Sequence, residues 1–378
     1  MKILIITPGM HAPWVDGRIT SLKTLAEALT KRCIDVHVLT TQMQEARSKA
    51  LEEQGVKYLL LPGGNIKNWK NLLKHFAINC RKNQFDVVIY RPFSGFNWVN
   101  NASIISLRLI AFIRRVPFVL SLWSGPAQFL KVPWLFSSIF ITSPTVKHKN
   151  IRSIAPIITP KEVIFSNQDQ PLSHYGINKE THVFLFTYCA KIDTDYIWNY
   201  TMNERGLQDV IQAAKLLSDR SDFTFLISMP IFSNPVSVSK FLATLDGHGV
   251  RHCFTLAQEI TNLSEVLSSV DAYLYPINME EPSWAPISAL EALSYGTPVI
   301  TTRINIVQQF IKENEAFFFK PGHPEQLASA VRFLLDNQKE AKKLAHQAKD
   351  AINTRFSSKH VANSIFDELN ILTSGKTR

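Results

Sequence analysis

The stretch Asp271–Thr302, DAYLYPINMEEPSWAPISALEALSYGTPVITT, constrains the fold of this chain more than any other. Ala272 to Tyr275 is a short run of strand formers. An irregular loop from Ile277 to Ala285 follows. Pro286 suits the first turn of a helix, where its missing N–H costs nothing. Ile287, Leu290 and Leu293 then recur at helical spacing. Gly296 and Pro298 close that helix, and Val299–Ile300 opens another strand. Such a strand–loop–helix–strand unit sets a helix N-terminus at the carboxyl end of a parallel strand, where α/β proteins bind ligands. The loop amides and the helix dipole suit a diphosphate there. Glu291, about one and a half turns into the helix, is placed to accept hydrogen bonds from two vicinal hydroxyls, as a ribose offers.

The alternation extends in both directions. Lys2 to Thr7 reads as a first strand, and a loop with Gly9, Gly17 and Arg18 follows it. Ile19, Leu22, Leu25, Ala26 and Leu29 then recur at helical spacing before a strand from Val36 to Thr40. Further strands are predicted over 58–61, 86–90, 118–122, 139–142, 183–188, 223–228 and 250–256. Helices are predicted over 102–115, 207–217, 262–269 and 325–335, with a last amphipathic one around Ala362, Ile365, Phe366 and Leu369. This βαβ pattern argues for parallel sheets covered by helices on both faces. A GxGxxG fingerprint is absent, which argues against a dinucleotide cofactor. At 378 residues the chain is long enough for two domains, and the polar, turn-rich Phe165–Lys179 reads as the linker.

Glu291-Ala292-Leu293-Ser294-Tyr295-Gly296-Thr297-Pro298-Val299 resembles the "EA-[ML]-x-x-G-x-PV" tail of the donor-site signature in family 4 glycosyltransferases of GT-B fold. The family's preceding Glu is replaced here by Ser283, with Glu280 and Glu281 close by. Lys191 and Arg205 resemble the two cations that hold the donor diphosphate in that family, each exchanged for the other basic type. Phe317 to Pro324 resembles its "p-G-D-P" element. The likeness implies an α/β chain of two Rossmann-like, doubly wound domains. Residues 1–170 are expected to bind the acceptor and 171–355 the donor, with 356–378 crossing back. Lys191, Arg205 and Glu291 are the implied catalytic residues. Gly17, Gln258, Glu281, Ser283, Trp284, Ala285, Pro286 and Ile287 are the implied donor contacts. Arg18 and Trp123 are assigned to the acceptor, Trp123 standing where many members have a His. The implied reaction is retaining, metal-independent transfer from a nucleotide-diphosphate sugar, a co-substrate, with no resident cofactor. Asp193-Thr194-Asp195 imitates a metal-binding DxD, but the surrounding element order is not that of a DxD fold.

Charge points to the acceptor. Residues 1–170 hold 22 Lys/Arg against 9 Asp/Glu, and the remainder holds 19 against 22. No acidic residue stands between Val87 and Lys161. A basic first half suggests an anionic partner. A lipid-linked glycan at a membrane face is the first expectation, in polysaccharide or surface-antigen assembly. A nucleic-acid motif is absent. The basic, aromatic stretch Asn68–Lys82 is the expected membrane contact. The longest apolar region, Ser103–Leu122, is broken by Arg108, Arg114, Arg115 and Pro117 and is not a membrane span. The four cysteines form no CxxC pair. Cytoplasmic placement, peripheral to the membrane, is the corresponding expectation. Two other readings stay open: a non-catalytic GT-B partner subunit, which the departures at Ser283, Trp123 and Ala190 favour, and a nucleotide-sugar 2-epimerase.

Overall fold

The computed structural model of the chain describes residues 1–7, 17–40, 55–60, 76–77, 84–91, 98–122, 133–141, 148–158, 171–188, 194–258, 260, 262–279 and 285–374. Two compact units divide it. One holds Met1–Ile157, Pro282–Ala285 and Arg355–Arg378, the other Ile158–Glu281 with Pro286–Thr354.

The first unit is built on a parallel sheet in the order β3-β2-β1-β4-β5-β6-β7. Its strands are β1 (Lys2–Thr7), β2 (Asp35–Thr40), β3 (Lys57–Leu60), β4 (Val87–Tyr90), β5 (Phe118–Leu122), β6 (Ser138–Ile141) and β7 (Ile151–Ser153). β1 and β4 are buried along nearly their whole length, as strands covered on both faces must be. On one face Ile3, Ile5, Val36 and Ile89 pack against the helix Gly17–Thr30 and the final helix Ser358–Thr373. On the other, Leu4, Val88 and Leu120 meet Ile104, Leu107 and Ala111 of the helix Trp98–Ile113. The final helix is tied down by an ion pair of 2.9 Å between its buried Glu368 and Arg152 of β7.

The second unit repeats the plan with a parallel sheet ordered β10-β9-β8-β11-β12-β13. It comprises β8 (His182–Thr187), β9 (Phe223–Ser228), β10 (Phe254–Ala257), β11 (Ala272–Tyr275), β12 (Val299–Thr302) and β13 (Phe317–Phe319). Phe184, Phe225, Leu274 and Ile300 face the helices Leu207–Leu216, Pro235–His248 and Pro324–Asp336. The alternate residues Leu185, Tyr273 and Val299 face the other way, toward the helix Ile287–Tyr295. In each sheet the chain runs outward in one direction and then returns to the far side of its first strand. The switch points lie between β1 and β4 and between β8 and β11, and crevices at the carboxyl ends of such strand pairs are where doubly wound sheets take ligands.

Several predicted bounds change. Gly17 and Arg18 open the helix Gly17–Thr30 instead of closing the loop before it. Pro286 is the residue capping the helix Ile287–Tyr295, not a member of its first turn. The strand expected from Val250 begins only at Phe254, because Arg251–Cys253 form a 3-10 turn behind the left-handed Gly249. The helices Pro235–His248 and Gln338–Arg355 and the strand β7 are additions to the sequence reading. Of the expected basic helix Asn68–Lys82, only Phe76 and Ala77 fall within the described residues.

What positions the second crevice is a clamp on the segment after β11. Gly206 precedes the helix Leu207–Leu216 at φ 74°, and a Cβ there would lie 1.7 Å from the Pro276 carbonyl oxygen. Next to this contact the Asn278 amide N–H donates to the Glu204 carbonyl at 2.9 Å. The Asn278 side chain donates to the Asn203 carbonyl at 3.2 Å and to the buried Asp209 carboxylate at 3.0 Å. The same carboxylate oxygen accepts from Gly322 N at 3.2 Å, which draws in the Phe317–Pro324 element. Thr301 Oγ1 donates to the Tyr275 carbonyl at 3.0 Å, and Thr302 Oγ1 donates to that of Ile277. Gly206→Ala is expected to lose roughly 1–3 kcal/mol from backbone strain alone, with the overlap on Pro276 adding to it. Chemical denaturation checks this, and a variant as stable as the parent removes the close approach.

Candidate functional site

The crevice between β8 and β11 is lined by aromatic side chains around one cation. β8 leads into Tyr188, and β11 carries Tyr273 and Tyr275. Arg205 follows the π-helical turn Tyr200–Glu204. Its guanidinium carbon lies 4.8 Å from the centre of the Tyr188 ring and 5.5 Å from that of Tyr275. Tyr200 stands 6.1 Å from Tyr188, ring to ring, and stacks at 6.2 Å on the exposed Tyr196. Burial works against the charge on Arg205, but the oxygens of Tyr275, Tyr200, Tyr188 and Tyr273 outweigh it and push the guanidinium above its ordinary range. Arg205 is therefore a fixed cation, held by aromatic faces.

Tyr273 joins this ring to the helix Ile287–Tyr295. Its hydroxyl shares a hydrogen bond of 2.8 Å with Thr187 Oγ1 at the end of β8, and another with Ser288 in the first helical turn. Burial pushes its pKa up to about 12, so it stays a neutral donor and acceptor. Glu291, half-buried, follows Ser288 by three residues and so shares its side of the helix. The helix is well fixed beneath: Ala289, Leu290, Ala292 and Leu293 are buried, and Gly296 ends it in the left-handed conformation at φ 84°.

Of the residues singled out from sequence, Arg205, Glu291, Pro286 and Ile287 belong to this end of the second sheet, with Ala285 just before the cap. Gln258 is exposed just beyond β10. Gly17 and Arg18 belong to the first unit, and the side chain of Arg18 lies outside the described residues. Lys191, Glu281, Ser283, Trp284 and Trp123 also lie outside them. Asp195 opens a short helix with its side chain almost fully exposed, in an ion pair of 3.3 Å with Lys240. Sequence reasoning missed the tyrosines. The available signal was that two strands, VFLFTY and AYLY, end in Tyr at a switch point.

Residues 201–351 match the family model described as glycosyl transferases group 1. Among curated proteins none matches the chain. A glycosyltransferase from Rickettsia africae ESF-5 is matched over 99% of both chains, with 15% identity and a TM-score of 0.78. Anabaena Alr3699/HepE, solved with UDP-glucose, is matched over 98% of this chain and 99% of its own, with 14% identity and a TM-score of 0.73. WaaG, a glycosyltransferase involved in lipopolysaccharide biosynthesis, is matched over 99% of this chain and 100% of its own, with 15% identity and a TM-score of 0.63. The stretch 201–351, which matches the glycosyl transferases group 1 model, holds Arg205, Tyr273, Tyr275, the clamp and the helix Ile287–Tyr295, in a chain of GT-B fold.

Proposed function

We propose that the protein is a retaining glycosyltransferase that moves a sugar from a nucleotide-diphosphate donor to a hydroxyl of a glycan acceptor. The observation that carries this is the fixed Arg205 cation at the β8/β11 switch point, linked through Tyr273 to the helix that bears Glu291. In the transfer the bond from the anomeric carbon to the β-phosphate oxygen breaks. Negative charge grows on the departing diphosphate, and preorganised cations and amides lower the barrier by meeting it. Arg205 supplies one cation, Lys191 is assigned the second, and the amides from Ala285 to Ile287 supply the dipole end of a helix. Glu291 is assigned to the ribose hydroxyls. The acceptor oxygen bonds to the anomeric carbon on the face the diphosphate leaves, and its proton passes to the departing phosphate oxygen. This balances without a side-chain base, in keeping with Trp123 at the family's His position.

For the acceptor we assign a lipid-linked glycan at the anionic inner face of a membrane, in polysaccharide or surface-antigen assembly. The excess of 22 Lys/Arg over 9 Asp/Glu in residues 1–170 supports this, as does the structural likeness to a lipopolysaccharide glycosyltransferase. Among the described residues no helix is long and apolar enough to cross a membrane, so attachment is assigned as peripheral. A nucleic acid is not assigned as a partner.

Thermal-shift screening against UDP-, GDP-, ADP- and CDP-sugars is the first test, and stabilisation by none of them overturns the donor reading. Glu291→Gln is expected to weaken donor binding by about 1–3 kcal/mol, the scale of a lost charged hydrogen bond. Calorimetry measures this, and an unchanged affinity removes Glu291 from the site. Arg205→Gln is expected to act mainly on kcat, lowering it by about a hundredfold to a thousandfold, with the melting temperature as control for the loss of aromatic contacts. A donor that binds and is transferred to no glycan favours the partner-subunit reading instead. Initial rates are expected to survive EDTA, and loss with rescue by manganese or magnesium returns Asp193 and Asp195 to the site.

A further inference from the structure

The helix Trp98–Ile113 is apolar on two sides. Ile104, Leu107 and Ala111 are buried against the first sheet. Ile105, Leu109, Phe112 and Ile113 lie within about 100° of arc on the opposite side, and each is more than half exposed. Trp134, 66% exposed, stands in a turn tied to this helix. It sits in the turn Pro133–Leu135, whose Leu135 carbonyl accepts a hydrogen bond from Arg108 Nε. The Arg108 guanidinium carbon in turn lies 5.5 Å from the centre of the Phe112 ring. The other large apolar side chains exposed among the described residues, Tyr196, Leu216, Val236 and Phe333, lie apart in the second unit. A helix apolar all round is ordinarily covered all round, and contiguous exposed apolar surface marks an interaction site.

The charged residues in this stretch of the chain are all basic. Arg114 and Arg115 follow the helix, and Lys149 is exposed on the turn whose Asn150 side chain donates to the carbonyls of Pro133 and Phe136, at 3.3 and 2.9 Å. No acidic residue occurs from Val87 to Lys161. Arg115 also ends the helix at φ 56°, a left-handed position that favours glycine, so this cation is kept at a conformational cost. We propose that the outer face of the helix Trp98–Ile113, with Trp134, is the surface that docks the protein on an anionic lipid bilayer. Ile105, Leu109 and Phe112 enter the boundary between headgroups and acyl chains, Trp134 takes the interfacial position favoured by its ring, and the arginines meet lipid phosphates. A second copy of this chain fits the face less well. Antiparallel two-fold pairing centred on Leu109 would set the two Arg108 side chains close together, with no carboxylate in the segment to separate them.

The surface deepens the membrane reading of the acceptor and rests on it only for its biological setting. Co-sedimentation with phosphatidylglycerol and with phosphatidylcholine vesicles tests it directly. The protein is expected to bind the first at low salt, to be released by salt, and to ignore the second. The triple variant Ile105→Ser, Leu109→Ser, Phe112→Ser is expected to bind about tenfold more weakly or worse, since interfacial affinity scales with buried apolar area. Arg114→Glu with Lys149→Glu is expected to do the same through charge. A triple variant that binds as the parent does, or a parent that stays in the supernatant with anionic vesicles, overturns the proposal. A parent dimer in sedimentation equilibrium that the triple variant abolishes also overturns it. Nucleotide-sugar binding by calorimetry is expected to be unchanged in both variants, which shows that they fold. Vesicle binding by a protein that takes no nucleotide sugar leaves the docking surface standing and removes only the donor reading.

Discussion

A guanidinium withdrawn from water needs compensation, and at Arg205 aromatic faces and hydroxyls provide it. The arrangement works only if several separate segments stay in place. Tyr188 must leave β8 at the right point, Tyr275 must end β11, and the turn Tyr200–Glu204 must present Arg205 between them. The faces of Tyr188 and Tyr275, at 4.8 and 5.5 Å, fix the orientation of the guanidinium. The role proposed for Arg205, meeting charge that develops in a transition state, calls for a cation held in place beforehand.

The clamp explains how such a ring survives on loops. Loops that carry function hold geometry only when a rigid scaffold grips them. Here one carboxylate, Asp209, binds both the segment after β11 and Gly322, and Gly206 allows the Pro276 carbonyl to approach where no Cβ fits. Three stretches far apart in sequence converge on a single oxygen atom. The hydroxyls of Thr301 and Thr302 add two bonds from the neighbouring strand. The helix N-terminus at Ile287 inherits its position from these constraints and from the Tyr273–Ser288 bond.

Much of the fold was legible because buried parallel strands write themselves as short apolar runs. β1, β5, β9, β11 and β12 have the bounds predicted for them. β10 was misread because the apolar and aromatic residues of VRHCFTL continue through a turn, and only Gly249 signals it. The helix Gln338–Arg355 escaped because its buried side is mostly alanine, Ala341, Ala345 and Ala348 with Ile352, amid a strongly polar remainder. Alanine at helical spacing packs closely but gives a weak apolar stripe. The placement of Arg205 and Glu291 at this end of the second sheet was legible through the motifs that contain them. The tyrosine ring was not, because Tyr188, Tyr200 and Tyr275 meet only after the sheet order reverses, and that reversal is a property of topology rather than of local pattern.

The distribution of charge gives the two halves different physical tasks. Residues 171–378 hold 19 Lys/Arg and 22 Asp/Glu, so no general positive field draws an anionic nucleotide to the second unit. What would favour an anion there is short-range: a part-buried cation with fixed neighbours and a helix terminus, each effective only within a few ångströms. The basic surface of residues 1–170 is the opposite case. Its cations act together, at a distance, and weaken as ionic strength rises. The proposed donor is a small soluble anion and the proposed acceptor a large surface-bound one, and that pair calls for both kinds of electrostatics. A field spread over many cations concentrates any anion near the chain, while a single fixed cation acts only on a group seated against it.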